Sequence, residues 1–347
     1  MFSNLKKPYL IAELSGNHNG SINTAKKIIK EAKVNGADCV KLQTYSPNTM
    51  TIKSSKKDFI ISKGLWKGYN LWDLYQYAHT PFEWHEELFN YAKKINITCI
   101  STPFDESAVD LLENLKVPFY KVASFEITDI PLIKYIAQKN KPIMLSTGMS
   151  NISEINQAVK TIKKYNQKEI LLFHCVSGYP TPIEDINISN ITYLRKKYKC
   201  EVGLSDHTIG NIAAITSIAL GVKVIEKHFT LSRKVIGPDS EFSIEPNELK
   251  ELKNNINDAF NALGSVNFRL KKSEKYNIKF RRSIYAIKDI KKNEKLTIDN
   301  IKRIRPGYGL EPIYYEKIIG KTLNRSIKKG SAIKKSYILN KVYNLKK

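Results

Sequence analysis
A chain of 347 residues has room for one large domain or two ordinary ones. Its 42% apolar and 26% charged residues exclude a disordered polypeptide, and no apolar run approaches the ~20 residues that a membrane helix needs. The net charge of +24 is uneven: residues 264–347 hold 24 Lys/Arg against 6 Asp/Glu, and residues 1–263 hold 33 against 27. The lysines of this tail are spread along the sequence without interleaved aromatic motifs. They read as a compositional habit rather than a nucleic-acid-binding face, although a basic surface still attracts phosphorylated or acidic small molecules. The start, "MFSNLKKPYLIAEL", lacks the features of a signal peptide. Cys39, Cys99, Cys175 and Cys200 form no CxxC pair, so free thiols and a cytoplasmic location are expected, with no membrane partner.

Eight short apolar runs follow in order: "YLIAEL" (9–14), "CVKLQT" (39–44), "TCISTP" (98–103), "FYKVAS" (119–124), "PIMLST" (142–147), "ILLFHC" (170–175), "EVGLSDH" (201–207) and "VIEKHFT" (224–230). Near-continuous apolar runs suit parallel strands covered on both faces. The segments between them carry helix patterns. Ser21 opens one that ends at Gly36, Ser150 or Ser153 caps another, and "DHTIGNIAAITSIALG" ends a third at Gly221. Eight strand–helix units predict an α/β fold, a (β/α)8 TIM barrel over residues 1–265.

Roughly 50 residues separate the second run from the third, an insertion expected at the C-terminal rim where such barrels do chemistry. Within it "PFEWHEELFNYAKK" reads as a helix with Pro81 near its start. Residues 266–280 read as a linker and 281–347 as a small second domain. That domain holds a weak repeat, "DIKKNEKLTIDNI" (289–301) against "SIKKGSAIKKSYI" (326–338).

The strand ends carry a coherent polar set: Glu13, Lys41 and Gln43, Ser101 and Thr102, Lys121 and Ser124 with Glu126 beyond, Ser146 and Thr147, Ser177 and Tyr179, Ser205 to His207, and Glu226 to His228. Active sites of this fold are built from such ends. By alternation, His228 and Glu226 share the inner face and Lys227 points away, while His207, Ser205 and Gly203 share another inner face. Two imidazoles at similar height suit one divalent metal with open positions, Mn²⁺ first, with Mg²⁺, Co²⁺ or Fe²⁺ as alternatives. A hydrogen-bonded core histidine is the plainer reading of each. Lys41 and Lys121 are an anion clamp, a Schiff-base lysine, or partners of Glu13 or Glu126 in ion pairs. His18 in "SGNHNG" reads as structural, and "RPGYGL" (305–310) as a loop displaying Arg305 and Tyr308.

Nine ordered motifs, "IAELSGNHNG", "VKLQT", "STPFD", "YKVAS", "HCVSGYPTP", "GLSDHT", "IEKHFT", "GPDSEFSIEP" and "RPGYGL", make the chain resemble the sialic acid synthase family from about residue 9 to 340. The resemblance implies a barrel with a C-terminal antifreeze-like (SAF) domain and a domain-swapped homodimer. It also implies a transferase that joins phosphoenolpyruvate to an amino sugar. "LWDLYQYAHTPFEWHEELF" (71–89) and the Leu-Ser of "AELSGNHNG" look like the pseudaminic acid branch, with N-acetylneuraminate and legionaminic acid synthesis as alternatives. By motif it implies metal ligands at His207 and His228. Phosphoenolpyruvate contacts would be Lys41, Thr102, Lys121, Ser124 and Ser205. Sugar contacts would be Glu13, Gln43, Tyr179 and Asp239, with Arg305 supplied by the other subunit. Ser177 stands where neuraminate synthases carry Asn, which shortens a side chain expected to reach phosphoenolpyruvate.

Overall fold
The computed structural model describes residues 1–339; residues 340–347, the end of the expected second domain, lie outside the described residues. The chain forms two compact units, Met1–Gly264 and Ser265–Lys347.

The first unit holds eight parallel strands: β1 (Tyr9–Glu13), β2 (Cys39–Thr44), β3 (Thr98–Pro103), β4 (Tyr120–Val122), β5 (Ile143–Ser146), β6 (Ile170–Cys175), β7 (Glu201–Asp206) and β8 (Val224–His228). They pair in the order β3-β2-β1-β8-β7-β6-β5-β4, and β8 closes onto β1 from Tyr9↔Val224 to Glu13↔His228. Strands β3 and β4 lie beside one another across the remaining seam without a ladder. The result is a nearly closed barrel.

Strand alternation sorts the side chains into two cores. Leu10, Ala12, Val40, Leu42, Val122, Leu145, Leu172, Leu204 and Ile225 point out and bury against the helices. Ile11, Cys39, Ile100, Phe119, Met144, Leu171, Phe173 and Val224 fill the barrel interior, with Phe2 packed on Phe119. Gly203 is required by that filling: a Cβ there would stand 2.7 Å from the Phe173 ring. Truncating Phe173 to Ala would cost about 3–5 kcal/mol. This apolar plug forms a base, and the polar strand ends stand above it.

The helices start where local chemistry directs. Ser21 accepts from the Thr24 amide and opens Ile22–Val34. Helix Ile152–Tyr165 is capped by Asn151 rather than Ser150 or Ser153. The Asn151 side chain accepts from the Ser153 and Glu154 amides, and Glu154 accepts from the Asn151 amide in return, a capping box that either serine would place out of register. The long insertion forms helices Pro47–Met50 and Leu71–Ala78, then Phe82–Lys94, which Pro81 precedes.

In the second unit β9 (Ser283–Ala286) and β10 (Ile301–Ile304) pair antiparallel. The sequence repeat is visible in space: Ile290 and Ile327, equivalent positions of the two copies, exchange backbone hydrogen bonds of 2.9 Å. The equivalent pairs Leu296/Ile333 and Ile301/Ile338 join them in one small core. Residues 266–280 belong to this unit and include a 3₁₀ segment, Lys272–Phe280. No helix among the described residues is long and apolar enough to cross a membrane.

Candidate active site
Above the apolar plug, the inward-facing ends of the strands hold a buried cluster of two lysines and two glutamates. Lys121 Nζ donates to Glu226 Oε1 at 3.0 Å, and Ser205 Oγ donates to the same oxygen at 3.0 Å. Lys41 Nζ lies 2.5 Å from Glu13 Oε2 and 4.0 Å from Glu226 Oε2, and donates to Thr102 Oγ1 at 3.2 Å. All four charged residues are at most 4% exposed. Of the ion pairs open from sequence, Lys41 with Glu13 is present, whereas Lys121 pairs with Glu226 and not with Glu126. Glu226 shares the inner face and Lys121 reaches across the barrel to it.

The two carboxyls are driven apart. Burial raises both, but the flanking Lys121 and Lys41 hold Glu226 below the ordinary carboxylate range. Burial wins at Glu13, whose carboxyl is lifted despite Lys41 and with Glu226 repelling its charged form. They titrate as a pair. Burial lowers Lys121, with Glu226 opposing; at Lys41 burial is outweighed by Glu13 and Glu226, and the ammonium is held up.

His207 and His228 stand beside this cluster with ring centroids 5.3 Å apart. His207 Nδ1 lies 2.8 Å from the Val176 carbonyl, so it carries the proton and donates it, leaving Nε2 free. The Cys175 thiol, 3.8 Å from the same nitrogen, is the weaker partner. His228 Nδ1 is buried with no hydrogen-bond partner among the described residues. Burial and the neighbouring His207, Lys41, Lys121 and Lys227 hold His228 well below its ordinary range, so its imidazole is neutral. At His207 burial is outweighed by the Cys175 thiol and the Val176 carbonyl, which hold its imidazole above the ordinary range; the free Nε2 of His207 and the orphaned Nδ1 of His228 fit a divalent metal with open coordination positions. Among the described residues no group of three or more His, Cys, Asp or Glu surrounds such a site.

These side chains open on a cavity of about 360 Å³. Lys41, Gln43, Lys121, Ser124, Tyr179, Ser205, His207, His228 and Asp239 line it. Glu13 stands behind the wall: its Oε1 accepts from Gln43 Nε2 at 3.0 Å and from the Ser15 amide at 3.1 Å. Thr102 reaches the cavity only through Lys41. Ser177 Oγ is buried and has no hydrogen-bond partner among the described residues. A Cβ on Gly148 would stand 2.4 Å from Ser177 Oγ and 2.7 Å from Ser124 Oγ, so only glycine lets both hydroxyls crowd there. Asp239, raised by burial, accepts a hydrogen bond from Ser15 Oγ. Arg305 lies in the second unit, exposed, just after β10.

Three contributions were not apparent from sequence. Tyr179 stacks 4.5 Å from His207 and 5.7 Å from Trp66, while Phe242 lies 4.8 Å from His228. Trp66 Nε1 donates to the Pro238 carbonyl at 2.7 Å, pinning the insertion to the loop after β8. Met50, Ile61, Leu71, Leu74 and Tyr75 of the insertion add an apolar wall. Trp66 sits in the irregular stretch "GLWKGYN", where no periodicity marks a side chain's direction; only the length of the insertion hinted at it. His18, expected to be structural, is buried and bonded at both nitrogens: the Gly20 amide donates to its Nδ1 at 3.2 Å, and its Nε2 meets Thr80 Oγ1 at 3.2 Å.

Residues 28–268 match the NeuB family and residues 281–339 match the SAF domain. Pseudaminic acid synthase of Helicobacter pylori (strain ATCC 700392 / 26695) is 43% identical over 95% of this chain and 97% of its own. N,N'-diacetyllegionaminic acid synthase of Campylobacter jejuni (serotype O:2, strain ATCC 700819 / NCTC 11168) is 40% identical over 95% of this chain and all of its own. Among solved structures, N-acetylneuraminic acid (sialic acid) synthetase from Leptospira borgpetersenii serovar Hardjo-bovis superimposes with a TM-score of 0.71 at 31% identity, covering 81% of this chain and 95% of that one. The geometry and the likeness agree, and the chain belongs to the NeuB family.

Proposed function
We propose that this chain condenses phosphoenolpyruvate with 2,4-diacetamido-2,4,6-trideoxy-β-L-altropyranose and water, giving pseudaminic acid and inorganic phosphate. The observation that carries the reading is the division of one cavity into a cationic, hydroxyl-rich floor and an apolar wall. The floor suits a small molecule carrying phosphate and carboxylate. The wall suits a sugar in which a methyl and two acetamido groups replace hydroxyls, because a hydroxyl against Leu71 or Leu74 would lose water without gaining a partner. Legionaminic acid synthesis uses a sugar with similar substituents. The likeness of residues 71–89 to the pseudaminic acid branch favours the altro sugar, and N-acetylneuraminate synthesis fits the wall less well.

Lys41 and Lys121 hold the phosphate and carboxylate throughout, assisted by Ser124, Ser205 and Ser177, with Thr102 steadying Lys41. Gln43, Tyr179 and Asp239 orient the open-chain sugar so that its aldehyde faces C3 of phosphoenolpyruvate. The C3–C1 bond forms, water adds at C2, and the C2–O bond to phosphate breaks to leave a 2-keto acid. Atoms balance without a redox partner. Behind the cavity wall Glu13 accepts from Gln43 and the Ser15 amide, and its carboxyl, lifted by burial, is our candidate for positioning water or shuttling a proton. Enzymes of this family are metal-dependent; a divalent ion, Mn²⁺ in our reading, held by His207 and His228 supplies Lewis-acid polarisation of the aldehyde oxygen when bound. A domain-swapped homodimer completes the reading, with Arg305 delivered to the sugar by the other subunit.

The test is phosphate release from phosphoenolpyruvate with each candidate amino sugar, with and without Mn²⁺. Release with the diacetamido altro sugar far above N-acetylmannosamine is expected. Equal or better use of N-acetylmannosamine would overturn the sugar assignment, and no release with any sugar would overturn the reaction. Borohydride trapping with pyruvate should give no adduct; an adduct on Lys41 or Lys121 would mark a Schiff-base aldolase instead.

A further inference from the structure
On the outer face of the barrel wall, the residues that precede the two imidazoles form a cluster of their own. Lys227 Nζ donates to Asp206 Oδ2 at 2.8 Å and to the Thr208 carbonyl at 2.7 Å. Asp206 Oδ1 accepts from the Thr208 amide at 2.9 Å and from its hydroxyl at 2.8 Å. Lys227, Asp206 and Thr208 are each 1% exposed. Strands β7 and β8 pair with Asp206 directly opposite Lys227, so each member of the pair is followed in sequence by one imidazole.

Stability does not account for this arrangement, because well-packed apolar side chains of similar volume hold a barrel wall at least as well as a buried ion pair. Placement does. The β7–β8 ladder ends at Asp206↔Lys227, and His207 lies one residue past the end of β7. The cluster brackets that residue: Asp206 is held on one side of it and Thr208 on the other, and both bonds lead back to Lys227 on the strand that carries His228. Two further contacts finish the setting of His207, its carbonyl accepting from the Thr181 amide at 2.9 Å and its Nδ1 donating to the Val176 carbonyl.

We propose that Lys227, Asp206 and Thr208 are positioning residues that set the separation and tilt of His207 and His228, and thereby the affinity of the site for a divalent cation. The proposal rests on the reading that the two imidazoles hold that cation. A site with two protein ligands has little redundancy, so a small shift of one ring is felt directly, and outer partners of metal ligands typically govern about 10–100-fold in affinity.

The test uses the full chain without substrates, with Mn²⁺ as probe and the free-ion electron paramagnetic resonance signal as readout, beside thermal unfolding. Lys227→Met alone strands a buried carboxylate, so the informative variant is Asp206→Asn with Lys227→Met, which carries neither charge. It should fold and bind Mn²⁺ about tenfold or more weakly. In turnover its activation should need correspondingly more Mn²⁺, with a smaller fall in kcat at saturating metal. Thr208→Val, which removes one hydroxyl and leaves the charged pair, should weaken Mn²⁺ roughly threefold, the scale of one hydrogen bond. A folded double variant that binds Mn²⁺ as tightly as the parent overturns the proposal while leaving the metal reading intact. If the double variant does not fold, unchanged affinity in Thr208→Val overturns it. A parent that binds Mn²⁺ no better than His207→Ala with His228→Ala overturns the metal reading and this proposal together.

Discussion
Lys227 on the outer face of the barrel wall and Lys41 and Lys121 on the inner face are buried to a similar depth, yet their surroundings differ in one respect. Behind the wall every oxygen of the Asp206 carboxylate has a donor, and Lys227 has two acceptors. In front of it, Glu13 Oε2 lies near the Lys41 ammonium but off the hydrogen-bonding direction, Glu226 Oε2 lies 4.0 Å from that ammonium, beyond hydrogen-bond reach, and Ser146 Oγ, Ser177 Oγ and His228 Nδ1 have no partner among the described residues. Folded interiors leave few such groups. A buried charge by itself therefore does not distinguish scaffold from site; the unused bonding capacity around it does. In our reading the inner cluster keeps bonding capacity for a ligand, while the outer one uses its own within the wall.

The strongest way to break this contrast is to remove the imidazoles themselves. His207→Ala and His228→Ala should each lower turnover by at least about 1,000-fold, the scale of losing a principal charge-stabilising element, measured as phosphate release with excess Mn²⁺. Full turnover in EDTA would sink the metal reading. Next come the lysines. Lys121→Met and Lys227→Met each leave a buried carboxylate without its cation, so each should cost about 3–5 kcal/mol in urea unfolding. Only Lys121→Met should also raise the KM for phosphoenolpyruvate, by roughly 100-fold for a lost charged contact. A matching rise in Lys227→Met would erase the distinction drawn between the two faces.

Glu13→Gln sharpens the comparison within the inner cluster. Because burial lifts the Glu13 carboxyl, the folded chain binds that proton more tightly than the unfolded chain does. Its contribution to stability is present below the ordinary glutamate range and is lost as pH rises toward neutrality. Glu226, held low, behaves oppositely, and its contribution is lost as pH falls below the ordinary range. Glu13→Gln should fold, bind phosphoenolpyruvate and flatten the fall in Tm between about pH 5 and 7, yet lose condensation about 100-fold. Unchanged turnover would remove Glu13 from the mechanism. The smallest expected effect lies at the apolar wall, where Leu74→Asn should raise the sugar KM roughly tenfold and leave the KM for phosphoenolpyruvate alone.

Much of the scaffold was legible because strands buried on both faces must be nearly continuous in apolar residues. All eight runs became strands, with ends moved inward by at most two residues at β4 and β8. Alternation correctly turned Glu226 inward and Lys227 outward. What alternation lacks is distance across the barrel. The ion-pair reading of Lys41 and Lys121 offered only Glu13 or Glu126 as partners, whereas Lys121 meets Glu226 on the opposite wall at 3.0 Å. Alternation also left Lys227 as a bystander, since nothing in one strand's pattern reveals that Asp206 faces it from the next. The cap at Asn151 was missed because serine and asparagine compete for that position, and only the partner at Glu154 decides. The wall at Trp66 and Leu74 comes from an insertion with irregular backbone, where sequence spacing carries no direction.

The contacts around the mouth of the barrel join segments far apart in sequence. Trp66 reaches Pro238 across 172 positions, Ser15 reaches Asp239 across 224, and Lys121 finds Glu226 across 105. Loops of that span close late in folding, and during synthesis the chain emerges from its N-terminus. A nascent chain that has not yet delivered β8 thus carries both inner lysines and Thr102, the hydroxyl partner of Lys41, but neither Glu226 nor His228. The second carboxylate of the inner cluster and the second imidazole arrive with the last strand, and Asp239 and Arg305 only after it, which makes the finished site a marker of a completely assembled barrel.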